Sequence, residues 1–250
     1  NNLCAGENMP LPIDPTGLIT SGLLSKVQDL ISDNIINKWR SYRTNQFLDT
    51  FLQEVSRECI TQQQNQTLDE ALNKLLSTPK AEDALFEAYR KVSLSASKEL
   101  GPRIIALLTA RLIIEDRYAT EDEESIFVLA EEMRDVEFMK FCKFYNENNL
   151  EENLQKSQYT YPVSSDEMGL GSHSGSIPAT HLNPIISLGK WAGKLEKVGL
   201  LYPDTVTESY RGGNFDNEKF PVIKNSFFII FEQGVTLLHD YTRRAQGPTP

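Results

Sequence analysis

Arg103-Ile-Ile-Ala-Leu-Leu-Thr-Ala-Arg-Leu-Ile-Ile114 is the stretch on which the fold turns. Read at 3.6 residues per turn, Ile104, Ile105, Leu107, Leu108, Leu112, Ile113 and Ile114 cover most of a helix circumference, and such a helix belongs at the centre of a bundle. It is expected to run from Arg103 to Arg117, after a break at Gly101-Pro102. Its apolar part is about half the ~20 residues needed to cross a bilayer, with Arg103 bracketing it and Arg111 interrupting it. It reads as a core helix and not as a membrane span.

Outward from this stretch, the surrounding sequence supplies neighbours for it. Asp14-Pro15 has the chemistry of an N-cap followed by Pro at the first helical position. Apolar residues at Leu18, Ile19, Leu23, Leu24, Val27, Leu30, Ile31, Ile35 and Ile36 then follow helical spacing, and Trp39, Phe47, Leu48, Phe51, Leu52 and Val55 carry it to about Cys59. Thr67-Leu-Asp-Glu70 is a capping box that opens a short helix. Ser77-Thr78-Pro79 stops that helix and starts the next, expected to reach about Ser97. A second capping box, Thr120-Glu-Asp-Glu123, opens a helix with an apolar stripe through Ile126, Phe127, Leu129, Ala130, Met133, Val136, Phe138, Phe141 and Phe144, its acidic residues facing out.

Beyond residue 154 the texture changes. Residues 155–182 are rich in Ser, Gly, Tyr and His with no apolar period, and predict a flexible linker. Pro184 to Val198 returns to helical spacing, and Gly199 supplies the stop. Thr205 to Tyr210 and Lys219 to Phe231, the latter with the apolar run Phe227-Phe-Ile-Ile-Phe231, read as a hairpin whose tip is Arg211 to Glu218. A short helix over Val235 to Thr242 closes the chain. Leu195-Glu-Lys-Val-Gly-Leu-Leu201, the ribbon and Gly234-Val-Thr-Leu-Leu238 together resemble the recognition helix, wing and following helix of a winged-helix domain. The expected fold class is therefore mainly α: a helical bundle over 14–154, the linker, and a small α+β winged-helix-like C-terminal module over 183–245.

Composition limits the function. Apolar residues make up 40% and charged residues 24% of the 250, ordinary values for a chain that folds on its own core. The net charge is −10, and Glu115 to Glu152 holds 13 acidic against 4 basic residues. A chain so charged is no general polyanion binder, and the acidic run reads as a solvated helix face. Cys4, Cys59 and Cys142 are far apart, with no metal-ligand spacing, so reduced thiols, no disulfide and no metal or other cofactor are expected. Asn1 to Pro15 carries neither the basic leader nor the apolar core of a secretory signal, which makes a cytoplasmic location the expectation.

Catalytic motifs are absent from the sequence. His173, His181 and His239 are scattered, HExxH does not occur, and neither a P-loop nor a dinucleotide fingerprint is present. Gly171-Ser-His-Ser-Gly175 places His where a nucleophile elbow needs Ser, and no strand signal precedes it. A hydrolase working from this loop ranks third. A winged helix that reads DNA needs positive charge on its recognition helix and ribbon. Lys190, Lys194 and Lys197 share a helix face, with Arg211, Lys219 and Lys224 on the ribbon and Arg243-Arg244 behind it; of these, Lys190, Lys194, Lys197, Arg211 and Lys224 are the nucleic-acid-binding candidates of the alternative reading. From Lys190 to the end, however, eight basic residues meet seven acidic ones, which leaves no phosphate track.

In the order of its parts, a helical N-terminal portion, an acidic helix pair and a C-terminal ribbon ending in Gly-x-x-Leu-Leu, the chain is similar to the alpha-type abortive-infection family of bacterial helical proteins linked to phage defence. The resemblance carries over no functional residue. It implies a non-catalytic interaction or effector protein, acting through a protein partner or self-association, with a winged-helix nucleic-acid-binding regulator as the alternative.

Overall fold

A computed structural model describes residues 42–62, 74–154, 159–163, 183–215 and 218–247, with side chains described outside 59–62, 207–215 and 218–225. The helix expected to begin at Asp14 is thus described from Tyr42, and the Thr67–Glu70 capping box, Cys4, His173, His181 and most of the predicted linker lie outside the described residues. The elements are α1 (Tyr42–Gln62), α2 (Pro79–Leu94), α3 (Leu100–Ile114), α4 (Glu121–Glu132), α5 (Asp135–Glu147), α6 (Leu150–Leu154), β1 (Tyr159–Val163), a 3-10 turn (Pro184–Leu188), α7 (Lys190–Lys197), β2 (Leu201–Phe215), β3 (Glu218–Phe231) and α8 (Gly234–Gln246). The protein is mainly helical with a small three-stranded antiparallel sheet. Among the described residues no helix is long and apolar enough to cross a membrane.

The all-round apolar stretch is the central helix. Ile104, Ile105 and Leu108 of α3 are fully buried and Leu112 nearly so, and α1, α2, α4 and α8 all pack against α3. Gly101 and Pro102 fall inside its first turn, where the missing Pro amide costs no hydrogen bond. Gly101 is required there by contact: a Cβ would lie 2.3 Å from the Ala130 carbonyl oxygen of α4. The first amides of α3 are satisfied from a distance. The Asp135 carboxylate accepts from the amides of Lys98 at 3.0 Å and Leu100 at 2.8 Å and from the Ser97 hydroxyl.

That cap explains a departure from expectation. The helix predicted to run from Thr120 through Phe144 is two, because Met133 adopts an extended conformation and Arg134 opens a second helix, with the Glu137 carboxylate accepting from the Arg134 amide at 2.8 Å. The break delivers Asp135 to the start of α3. Both expected starts hold: the Thr78 hydroxyl accepts from Ala81 N at 3.2 Å ahead of Pro79, and Thr120 and Glu123 form the reciprocal capping box. The acidic residues do not all face out, however. Glu123 and Glu137 are buried. Reciprocal capping turns a carboxylate back onto the helix start, and a neighbouring cation then makes its burial tolerable.

The predicted linker contains a strand. Tyr159-Thr-Tyr-Pro-Val163 pairs antiparallel with Phe227–Phe231, Tyr159 opposite Phe231 and Val163 opposite Phe227. The segment lacks a helical period but has a period of two, with Tyr159, Tyr161 and Val163 turned towards the core and Thr160 and Pro162 exposed. Pro162 is acceptable because β1 is an edge of the order β1-β3-β2. The hairpin is longer than expected, paired from Leu201–Phe231 to Phe215–Glu218, and the bulge between Arg211 and Asn214 takes up Gly212-Gly213. Along β3, Phe227, Ile229 and Phe231 alternate into the core. The helical stretch expected over 184–198 divides at Gly189, whose φ of 95° a side chain would oppose.

The C-terminal elements share one core with the bundle, since Trp191, Leu195, Leu201, Phe231, Val235 and Leu238 belong to the same buried cluster as Ile105 and Phe138. At Gly234 a Cβ would sit 2.6 Å from Leu200 Cδ2 and 2.9 Å from Asp122 Oδ1, so a side chain there would require both of these side chains to shift. Farther along α8, Tyr241 accepts from Arg111 at 3.3 Å, Arg103 donates to the Ala245 carbonyl at 3.1 Å, and Arg244 pairs with Glu54 of α1.

Two stability measurements follow from this core. Leu108→Ala opens a cavity inside α3's fully buried face and lowers unfolding stability by about 2–5 kcal/mol, read as a lower denaturant midpoint. The Glu123 carboxyl is held at about 2, against an ordinary 4.5, chiefly by the Arg117 guanidinium at 2.6 Å, with the Thr120 amide adding to it against the effect of burial. A depressed carboxyl contributes stability above its unfolded value and loses it as pH falls through its folded one. About 3 kcal/mol should therefore be lost between pH 4.5 and 2, and Glu123→Gln should flatten that part of the stability–pH curve.

Candidate functional site

The basic face predicted on the 190–197 helix is present, but two of its three charges are paired within the chain. Helix α7 turns Trp191, Ala192 and Leu195 inward. Trp191 meets Phe141 and Phe144 of α5 at ring separations of 5.7 and 5.4 Å, and Phe144 stacks in turn on Phe231 of β3 at 5.5 Å. This docking brings Lys194 over the break between α4 and α5. Its ammonium donates to Glu137 Oε2 at 2.6 Å and to the Glu132 carbonyl at 2.7 Å, while Lys197 pairs with the Glu132 carboxylate.

Burial alone would push the Glu137 carboxyl up. The Lys194 ammonium and the Arg134 amide outweigh it, and the group stays ionised below its ordinary range. Lys190 remains exposed at the start of α7. The side chains of Arg211, Lys219 and Lys224 lie outside the described residues; the hairpin backbone places Arg211 and Lys219 toward its tip and Lys224, opposite Glu208, midway along it. Of the last basic pair, Arg244 is bound to Glu54 and Arg243 to Asp240 at 2.9 Å.

A second feature was not legible in the sequence. Tyr145 of α5, Glu151 and Leu154 of α6, and Gln233, Thr236, Leu237, His239, Asp240 and Arg243 around α8 line a cleft of about 510 Å³. His239 stacks on Tyr145 at 3.9 Å with the rings 11° from parallel, and the Tyr145 hydroxyl is 3.3 Å from Thr236 Oγ1. Burial, aided by the Arg243 charge, keeps the imidazole below its ordinary value, so it is neutral at pH 7. Tyr145 and Glu151 are close in sequence, but His239 lies 88 positions beyond Glu151, and a lone His on an amphipathic helix gives no local signal. Among the described residues no group of three His, Cys, Asp or Glu could hold a metal ion. Cys142 is buried and its thiol is pushed up to about 11 by burial, which makes it a poor nucleophile.

Removing Lys194 would strand the Glu137 charge in a partly dry site, so Lys194→Ala should cost about 1–3 kcal/mol. Lys190→Ala should change stability by less than about 0.5 kcal/mol. Urea unfolding of the two variants side by side measures the contrast, and equal midpoints would contradict the structural role given to Lys194.

Compared with known proteins, the chain matches no family model, no curated protein and no solved structure.

Proposed function

We propose that the chain is a non-catalytic interaction protein whose C-terminal elements are a winged-helix-like module turned inward onto the helical bundle. Its effector role in bacterial phage defence rests on the similarity in the order of its parts. The observation that carries the reading is the pairing of Lys194 and Lys197 with Glu137 and Glu132. A recognition helix reads a groove with exposed cations, and here two of the three are bound to the protein's own acidic helices. The strand order β1-β3-β2, with α7 leading into the β2–β3 hairpin, supports the winged-helix-like description.

On the partner side, Val136 and Met139 are exposed apolar side chains three positions apart on α5, beside the exposed Lys140 and Lys143. Apolar side chains on one helix face with a charged margin suit a protein contact. A photo-crosslinking residue at position 139 should yield an adduct, with a partner or with a second copy, that the same residue at the exposed Asp83 does not.

The nucleic-acid regulator is the second reading, favoured by the exposed Lys190 and by the basic positions Arg211 and Lys219 toward the hairpin tip. Fluorescence anisotropy separates the two. The first reading expects no duplex complex tighter than about 10⁻⁶ M at physiological salt. A salt-dependent nanomolar complex, lost when Lys190→Ala and Lys197→Ala are combined, would replace it with the second. Lys194 is left unchanged in this test because its loss perturbs the fold.

A further inference from the structure

The cleft beside His239 has an excess of acceptors. Of its two carboxylates, Asp240 is engaged by Arg243 at 2.9 Å, whereas Glu151 makes no ion pair or hydrogen bond among the described residues. The His239 ring is fixed by stacking on Tyr145 and by an edge contact with Phe141 at 6.5 Å, yet its nitrogens have no hydrogen-bond partner among the described residues. A neutral imidazole offers one lone pair, and Gln233 adds an amide oxygen. The Tyr145 hydroxyl is taken by Thr236, and Leu154 and Leu237 supply apolar wall. The lining carries a net charge of −1 at neutral pH, and its volume lies in the range of small-ligand sites. A group that brings several N–H donors and a positive charge satisfies all these acceptors at once, whereas an anion would meet Glu151 unopposed.

We propose that this cleft binds an organic cation, an ammonium or guanidinium group, with Glu151 as its counter-ion and the free ring nitrogen of His239 as a hydrogen-bond acceptor. The cation comes either from a free small amine or from a Lys or Arg side chain of a partner protein. Both share the chemistry, and the proposal stands independently of the interaction surface on α5. Glu151 is exposed on a short helix, so replacing its carboxylate leaves the core intact. The groups facing His239 are Tyr145 and Phe141 from α5, Glu151 from α6, and Asp240 and Arg243 from its own helix. Protonating His239 adds a positive charge beside the bound cation, so affinity should fall as pH drops from neutral towards 5 while Glu151 remains ionised.

The experiment is a titration of the full chain with agmatine and, separately, with a blocked Gly-Arg-Gly peptide, followed by calorimetry and by the His239 ring proton shifts in NMR. At least one probe should shift the His239 signals and bind with a Kd on the order of 1 mM, the scale of a single small-molecule anchor. Glu151→Gln should weaken that binding roughly tenfold or more, the loss expected for one charge-assisted contact, and lowering the pH should weaken it further. Tighter binding of agmatine identifies a free amine as the source, and tighter binding of the peptide identifies a partner's side chain. Unshifted His239 signals with both probes, or equal affinity in Glu151→Gln, would overturn the proposal.

Discussion

A carboxylate that leaves water must find a cation, and in this protein that constraint fixes where the C-terminal third can sit. Glu137 is buried because it closes the start of α5, and α5 starts there because Asp135 is needed as the cap of the central helix α3. The charge of Glu137 then requires a partner that no residue of α4 or α5 provides. Lys194 of α7 provides it, 57 residues further along the chain, and with Lys194 come Trp191, the hairpin and α8. Stranding either ion would cost more than the pair itself contributes, so the interaction acts mainly as a specificity device: it selects one placement of α7 over others that would bury the same apolar area.

Much of this was legible locally. The apolar circumference of residues 104–114 named the central helix, and caps at Thr78 and Thr120 placed two helix starts, because a capping box is a short-range arrangement of side chain and amide. Gly199 marked the end of α7 for the same reason, its φ of 75° being a local demand. What was missed depends on distant partners. The break at Met133 is set by the need of α3 for Asp135, and Tyr159–Val163 becomes a strand only because β3 offers it an edge. The burial of Glu123 and Glu137 was hidden by composition: a run of carboxylates looks solvated until Arg117, six residues before Glu123, and Lys194, from the distant α7, are seen to pair with them. The cleft at His239 was likewise invisible, since Tyr145, Glu151 and His239 meet only in three dimensions.

The same charge pairing shapes the functional reading. A net balance of charge in the tail already argued against a phosphate track, and the geometry supplies the reason for the balance: the cations of α7 complement the acidic helices of the bundle. In the proposed reading, a basic helix with two of its three cations paired to the bundle has less charge to offer a phosphate backbone. The surfaces left for contact are apolar and mixed-charge faces such as that of α5, along with a cleft whose unpaired acceptors favour a cation.

The most direct test of this account is a double-mutant cycle between Lys194 and Glu137, using Lys194→Met and Glu137→Gln singly and together, with unfolding followed by Trp191 fluorescence in a Trp39→Phe background and by far-ultraviolet circular dichroism. The account predicts a coupling energy of about 1–3 kcal/mol and coincident transitions by the two probes in the parent, because tail and bundle share one core. Additive single effects, together with a Trp191 transition separate from that of the helices, would contradict it.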